Sequence, residues 1–534
     1  MNKLLQYILF TFLIAGGLSA CHDLDVPVES KLNPENFPLT QAQAILASGP
    51  VYTAFANANL TREFWFMESL STDESILPAR GGNWLDGAKY KQMHMHSWNA
   101  DNGNVGAGWT LLTSTISTSN LVLSILAASS VTPDPQIVGE VKTMRALSYY
   151  FMMDNFGNVP VTTTFGDTIQ PGTTKRADVF AFIEKEVLAA LPSLSTTVGT
   201  STYGRPTKYT AFALLAKMYL NSVVYTGTDR YADAVRMCDS IIISGKFSLE
   251  SNYKAMFAIN NGPNTGGGKE FIFAVPNTNA ATSSSQTTGQ FLARYYLHRA
   301  MKAKYSLPYT PSGAVSIMPE YYSYFNQTGD VRNDIFLKGK QYDYSGNPIV
   351  IATTNIGYDA SYAGSDPKAA YNYELNLTPA IVLTDVDNFD AGNDEKSWAE
   401  GYRCIKFYPD STSTSRNQDN DFPIFRYADI LLMKAEAILR GAAETNGQTA
   451  LSLTNDVRTI RNTTALGAVT LDDLYAERNR EMVYESWHRN DMIRFGKFEG
   501  SWGYKTDVDV NHRIYPIPTF ARALNPKLDQ NPGY

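Results

Sequence analysis

Glu477, Glu481 and Glu485 recur at every fourth residue of the segment ERNREMVYESWHRNDMIRFG. A helix there sets the three carboxylates on one face, and a row of acids invites a reading as general acid and base. The carboxyl pair of a glycoside hydrolase, however, flanks the bond being broken at about 5 to 9 Å, normally from separate elements. One helix face does not offer that arrangement, so a surface glycoside hydrolase stays only as the least favoured alternative and the chain is read as a binding protein without catalytic residues. Arg145, Arg426, Asp429, Glu477, Glu481 and Arg489 lie in segments otherwise rich in apolar residues. Charges buried there need partners and hydrogen bonds, and these six are read as ties between helices.

A different chemistry suits aromatic rings set beside amides, carboxylates and guanidiniums, and the chain holds 32 Tyr, 26 Phe and 7 Trp. Sugar rings present apolar C–H faces that stack on aromatic rings, while their hydroxyls need polar partners; pockets pair such apolar surface with a few placed polar groups. Trp84 with Asn83 and Asp86, Trp98 with Asn99 and Asp101, and the pair Tyr295, Tyr296 beside Arg294 meet that requirement, as do Tyr321, Tyr322 and Tyr324. Trp84 and Trp98 come first, because the turn-rich stretches RGGNWLDGAKY and HSWNADNGNVGAGW make them hard to bury. Trp109 and Trp487 fall in helical segments and are read as packed. Each ring also suits a core or interface role.

Metal ligation has thinner support. His94 and His96 alternate as ligands from one strand face do, but no third ligand at a recognisable spacing accompanies them, and the pair is read as part of a surface loop. DVDNFD, from Asp385 to Asp390, offers oxygen ligands of the kind calcium takes, without the glycine and terminal glutamate of an EF-hand. No cofactor is called for, and calcium is the one ion kept in view. No Gly-rich phosphate loop follows a strand, no G-x-S-x-G elbow occurs, and Cys238 and Cys404 have no histidine at informative spacing. Those two thiols form either one disulfide or two buried thiols.

The elements that position these residues follow an amino-terminal segment of another kind. Lys3 precedes the apolar block Tyr7 to Ile14, and small residues lead on to Ala20, the layout of a secretory signal peptide. Glycine, serine and threonine dilute the block below the ~20 apolar residues of a membrane span. Leu18, Ser19, Ala20 and Cys21 have the form of a bacterial lipobox, which makes Cys21 the acylated first residue of the mature chain; two or more acyl chains hold a protein firmly on its membrane. Residues 1–20 are thus a signal peptide, and 21–38, rich in Pro, Asn and Asp, a lipidated tether.

Residues 39–534 read as a single, mostly α body. Its helical scaffold spans mainly 39–251 and 421–500, an irregular insertion 252–420, and a proline-rich tail 501–534. Helices are expected over Gln41 to Ala58 and Trp109 to Ala128, with loop from Phe64 to Gly108. In TKYTAFALLAKMYLNSVVY, the residues Ala211, Leu214, Leu215, Met218 and Tyr219 form an apolar stripe. Short runs such as EFIFAVP and PAIVLTDV read as strands. Helices joined by short connections suggest stacked pairs of tetratricopeptide type packed against an irregular half, although no strict repeat fits. With 45 Lys plus Arg against 52 Asp plus Glu, nothing favours nucleic acid as a partner.

Several segments taken together resemble the SusD/RagB family of outer-membrane nutrient-binding lipoproteins. They are the lipobox at Cys21; GEVKTMRALSYYFMMDNFGNVP, with Glu140, Arg145, Phe156, Gly157 and Pro160; GRPTKYTAFALLAKMYL; FRYADILLMKAEAIL, with Arg426, Tyr427, Ala428, Asp429 and Glu436; ERNREMVYESWHRNDMIRFG; and the ending NPKLDQNPGY. Ser486 departs from the pattern, standing where relatives often have glycine. The resemblance implies a lipid-anchored, surface-exposed protein of the outer membrane, partnered by a SusC-like TonB-dependent transporter over which it closes as a lid. It also implies a glycan ligand, with peptide or glycoprotein as the alternative, and binding without hydrolysis.

Overall fold

The stripe from Ala211 to Tyr219 folds as its spacing dictates. It lies on the helix Lys208–Leu220, all five side chains are buried, and Thr207 closes a capping box with Thr210 at the amino end. The structure, a computed structural model, describes residue 38 and residues 40–263, 268–277, 289–354, 371–413 and 416–534. The signal peptide, Cys21 and nearly all of the tether lie outside the described residues.

The main helices are α1 (Gln41–Phe55), α2 (Glu63–Leu70), α3 (Lys89–Met95), α4 (Gly103–Ala128), α5 (Pro135–Phe156), α6 (Arg176–Ala190), α7 (Lys208–Leu220), α8 (Tyr231–Ile242), α9 (Tyr427–Leu439), α10 (Ala450–Ile460), α11 (Leu471–Met482) and α12 (His488–Arg494). Each packs on near neighbours in sequence: α4 on α1 and α5, α5 on α6, α7 on α8, α9 on α10 and α11, while α9 crosses the long gap to reach α8. Helix α5 stops where Gly157 takes a φ of 67°. Strand β1 (Phe271–Val275) pairs antiparallel with β2 (Phe422–Arg426), both wholly buried, and β2 runs directly into α9.

Two expectations need correction. The stretch Phe64 to Gly108 is not one loop, for it holds most of α2, all of α3 and the start of α4. Asn102 caps α4 ahead of Trp109 by accepting from the amides of Asn104 and Val105. Gly108 serves packing, since a β-carbon there would stand 2.5 Å from the Met67 sulfur. PAIVLTDV is not a strand either; around it only isolated bridges form, Thr378 with Glu400 and Asp385 with Asp390. Cys238 and Cys404 are separate, buried thiols.

Charged side chains fill much of the core between these elements. Glu481 of α11 is paired with Arg332 at 3.0 Å, Arg426 at 2.9 Å and Arg461 at 2.9 Å. Arg426 also reaches Glu270 at 2.5 Å and Glu485 at 2.6 Å, Lys406 pairs with Glu485, and Arg332 meets Glu477 at 2.6 Å. A second cluster joins Lys217 of α7 to Asp429 of α9 at 2.7 Å, Asp429 to Arg478 of α11 at 2.9 Å, and Arg478 to Asp491 of α12 at 2.8 Å. Arg145 of α5 bonds Glu186 of α6 and Asn120 of α4. Arg489 differs from the other five: it ties α12 to the tail, donating to the Arg513 carbonyl at 2.7 Å and lying over the Tyr515 ring.

Removing one member of such a buried set strands the rest, at a cost of about 3–5 kcal/mol. Glu481→Leu should therefore lower unfolding free energy by that amount in a urea titration; a loss under about 1 kcal/mol would contradict the role given to Glu481. Burial pushes the Glu481 carboxyl up, but Arg461, Arg426 and Arg332 together hold it well below the usual carboxylate range. Its contribution is therefore complete above the unfolded-state value, about 4.3, and is lost as pH falls through the depressed folded value. Wild-type stability should drop on acidification below about pH 4, and Glu481→Leu should show a smaller drop.

Candidate functional site

Loop 80–88 is built to display a ring. Gly81, Gly82 and Gly87 have positive φ, as do three residues with side chains, Trp84 at 69°, Asp86 at 40° and Ala88 at 63°. Left-handed backbone outside glycine costs of order 1–3 kcal/mol per residue and persists only where the surroundings enforce it. The Asp390 carboxylate anchors the start of the loop, accepting from the amides of Gly81 at 2.9 Å and Gly82 at 2.7 Å, and also from Gly392 at 2.7 Å. The last aspartate of DVDNFD thus organises backbone amides. Asn83, Leu85 and Asp86 reach solvent, while Trp84 is half-buried with its ring centroid 5.9 Å from both Tyr90 and Tyr295. Arg294, partly exposed, lies over Tyr295 at 5.6 Å.

Tyr305, Tyr344 and Tyr408 form a second set of rings. Tyr344 is 72% exposed at the tip of a turn. The Asp343 carboxylate holds that turn by accepting from the amides of Ser345 at 2.8 Å and Asn347 at 2.9 Å, and Gly346 supplies a φ of 83°. Tyr305 stands edge-on to Tyr344 at 6.4 Å and to Tyr408 at 5.8 Å. Lys304 sits 5.7 Å from the Tyr305 ring and 5.9 Å from Tyr344, and Lys254 lies 4.4 Å over Tyr408. Tyr408 and Lys254 also edge a groove of about 370 Å³, lined further by Asn252, Tyr253, Asp334 and Lys406. Tyr309 is buried, and its phenol is pushed up by burial and by Asp410 and drawn down by Arg294.

The structure thus brings together Trp84, Asn83, Asp86, Arg294 and Tyr295, although Tyr295 itself is buried. It separates Trp98, Asn99 and Asp101 from them. Trp98 is 3% exposed, a correction to the expected exposure. Its indole N–H donates to the Tyr534 hydroxyl at 2.6 Å and its ring packs 4.7 Å from Tyr515, so the tail covers it. Asn99 and Asp101 remain exposed, the Asn99 side chain accepting from the Asp101 amide. Tyr296 and Tyr321 are buried with their hydroxyls donating to the carbonyls of Phe407 and Asn479, which leaves neither face for a ligand. Trp109 and Trp487 are packed. His94 and His96 are buried too, His94 on α3, and form no surface loop. Tyr305, Tyr344 and Tyr408 were not singled out by sequence; a tyrosine inside the turn signal DYSGN was the available clue.

Comparison with known proteins settles the ancestry. A model of the SusD family matches residues 269–534, and a second, described as starch-binding associating with outer membrane, matches 24–220. The chain belongs to the SusD family. It is 23% identical to the starch-binding protein SusD of Bacteroides thetaiotaomicron, over 100% of this chain and 99% of that protein. SusD-like protein P38 of Formosa agariphila is 22% identical over the whole of both chains. The fold is shared with surface glycan-binding protein A of Bacteroides thetaiotaomicron, solved in complex with laminarihexaose, at a TM-score of 0.71, 18% identity and coverage of 92% and 99% of the two chains. A SusD homolog from the same organism gives 0.72 at 17% identity, covering 95% and 100%. Ser486 takes a φ of 61°, a left-handed conformation that favours glycine.

Truncating a surface ring tests the face directly. Tyr344→Ala and Trp84→Ala should each weaken an oligosaccharide that the wild type retains by roughly five- to tenfold, about 1–1.4 kcal/mol, in calorimetry. Tyr344→Ala should leave unfolding free energy within about 0.5 kcal/mol of wild type. Unchanged affinity in both variants would remove the assignment.

Proposed function

We propose that the chain is a cell-surface lipoprotein that captures an oligosaccharide and passes it to a SusC-like TonB-dependent transporter in the outer membrane. The observation that carries the glycan reading is the pairing of surface-presented rings, Trp84 and Tyr344, with Arg294, Asp86, Asn83 and Lys304 around them. Ring faces take the C–H surface of a sugar and the polar groups take its hydroxyls. Similar proteins named for starch and laminarin binding support the same ligand class.

Capture proceeds without covalent chemistry. Glu477 and Glu481 are taken up in ion pairs with buried arginines, and Glu485 with Arg426 and Lys406. Helices of tetratricopeptide-like pairing form the rigid side that meets the transporter, and the loops of 80–88 and 291–347 form the ligand side. Acylated Cys21 holds the whole on the outer membrane.

Affinity electrophoresis against a glycan panel tests the reading. Retardation by a polysaccharide with no new reducing ends is the expected result. Products would establish hydrolysis, and binding confined to peptides or glycoproteins would replace the sugar with the alternative ligand. For the anchor, Cys21→Ala should fold, keep its ligand and leave the membrane fraction; its recovery there would overturn the lipid attachment.

A further inference from the structure

From the side chains that His96 meets in the folded chain, we infer a divalent transition-metal site, of the zinc class, formed by His96, Asp507 and His512. One ligand atom from each of the three lies within 4.8 Å of the other two. The residues come from the end of α3 and from the tail, more than four hundred positions apart, which is why spacing could not reveal them.

The orientation of each group fits ligation. His96 directs Nε2 at the Ser71 carbonyl, 2.8 Å away. A carbonyl only accepts, so Nε2 carries the proton and, in the neutral ring, Nδ1 keeps its lone pair. A metal-binding histidine typically donates its second ring nitrogen in this way. That Nδ1 faces the Asp507 Oδ1 at 3.8 Å, beyond hydrogen-bond reach. His512 Nδ1 approaches the same oxygen at 2.8 Å, and the Asp509 amide donates to it at 3.2 Å, fixing the carboxylate. Two ligands about 2.0–2.1 Å from one tetrahedral ion stand about 3.4 Å apart, and the observed 3.8 Å and 2.8 Å bracket that separation. On binding, His512 would shift its proton to Nε2 and the histidine–aspartate hydrogen bond would give way to a shared ion.

Access and charge complete the case. The side chains of Asp507 and His512 are 26% and 16% exposed, while that of His96 is 1% exposed. An ion thus enters from solvent and leaves a fourth position for water, as in three-ligand zinc sites. Opposing it are Lys505, whose ammonium donates to the carbonyls of Phe498 and Gly500, and Arg489, whose Nη2 donates to the Arg513 carbonyl. Their charge makes the site weaker than a closed four-ligand one. Its effect is to pin the tail to the end of α3.

Chelator-stripped full chain, titrated with Zn²⁺ in calorimetry and with Co²⁺ followed by visible absorption, tests the inference. One equivalent should bind and raise the melting temperature. His512→Ala and Asp507→Asn, both at partly exposed positions, should each weaken binding at least tenfold and abolish the Co²⁺ bands, with oligosaccharide affinity unchanged. The double variant controls for the Cys21 thiol and for surface carboxylates. Equal Zn²⁺ binding by wild type and double variant, or none by wild type, would overturn the site.

Discussion

Glu481 is buried among Arg332, Arg426 and Arg461, and its own backbone carbonyl accepts from Tyr253, Lys406 and Arg426. Arg332 comes from the irregular region, Arg426 from the junction of β2 with α9, and Arg461 from the end of α10, so one carboxylate fixes three separate pieces of chain. A buried ionic set of this kind contributes little net stability compared with apolar packing. Its effect here is to define which segments meet, because every alternative pairing leaves a bare charge in the core.

That constraint reaches the proposed ligand face. Tyr253 and Lys406, which bond the Glu481 carbonyl, also line the groove beside Tyr408. The groove floor is therefore part of the ionic core, while its rim is loop. Loop 80–88 is held differently, by the Asp390 carboxylate on successive glycine amides. Both devices hold exposed side chains on a rigid base, which lowers the entropy lost when a ligand orders them. Rims of this sort tolerate changes in length and sequence that the core does not.

Helices were legible where apolar spacing was clear, as in α7 and α9, because that signal is local, and α7 adds a capping box at Thr207. The ties among Arg426, Asp429, Glu477 and Glu481 were legible as a class, since charges inside apolar segments need partners, but the partners themselves were not. Glu270 and Arg332 lie far away in sequence and carry no local mark. Trp98 shows the limit most clearly: turn-rich surroundings suggested exposure, and a tail residue at the other end of the chain covers it. The turn character of the Trp84 loop was legible from Gly81, Gly82 and Gly87, whereas the Asp390 carboxylate that holds it lies far along the chain. The turn that displays Tyr344 is marked by Asp343 and Gly346, but a lone tyrosine in a turn signal does not by itself separate a displayed ring from a packed one.

The most direct check is a crystal structure with the oligosaccharide that the chain retains best. A sugar ring stacked about 4 Å above Trp84 or Tyr344, with hydroxyls bonded to Arg294, Asp86 or Lys304, is the predicted result. An oligosaccharide bound elsewhere, with both of those rings still open to solvent, would contradict the assignment.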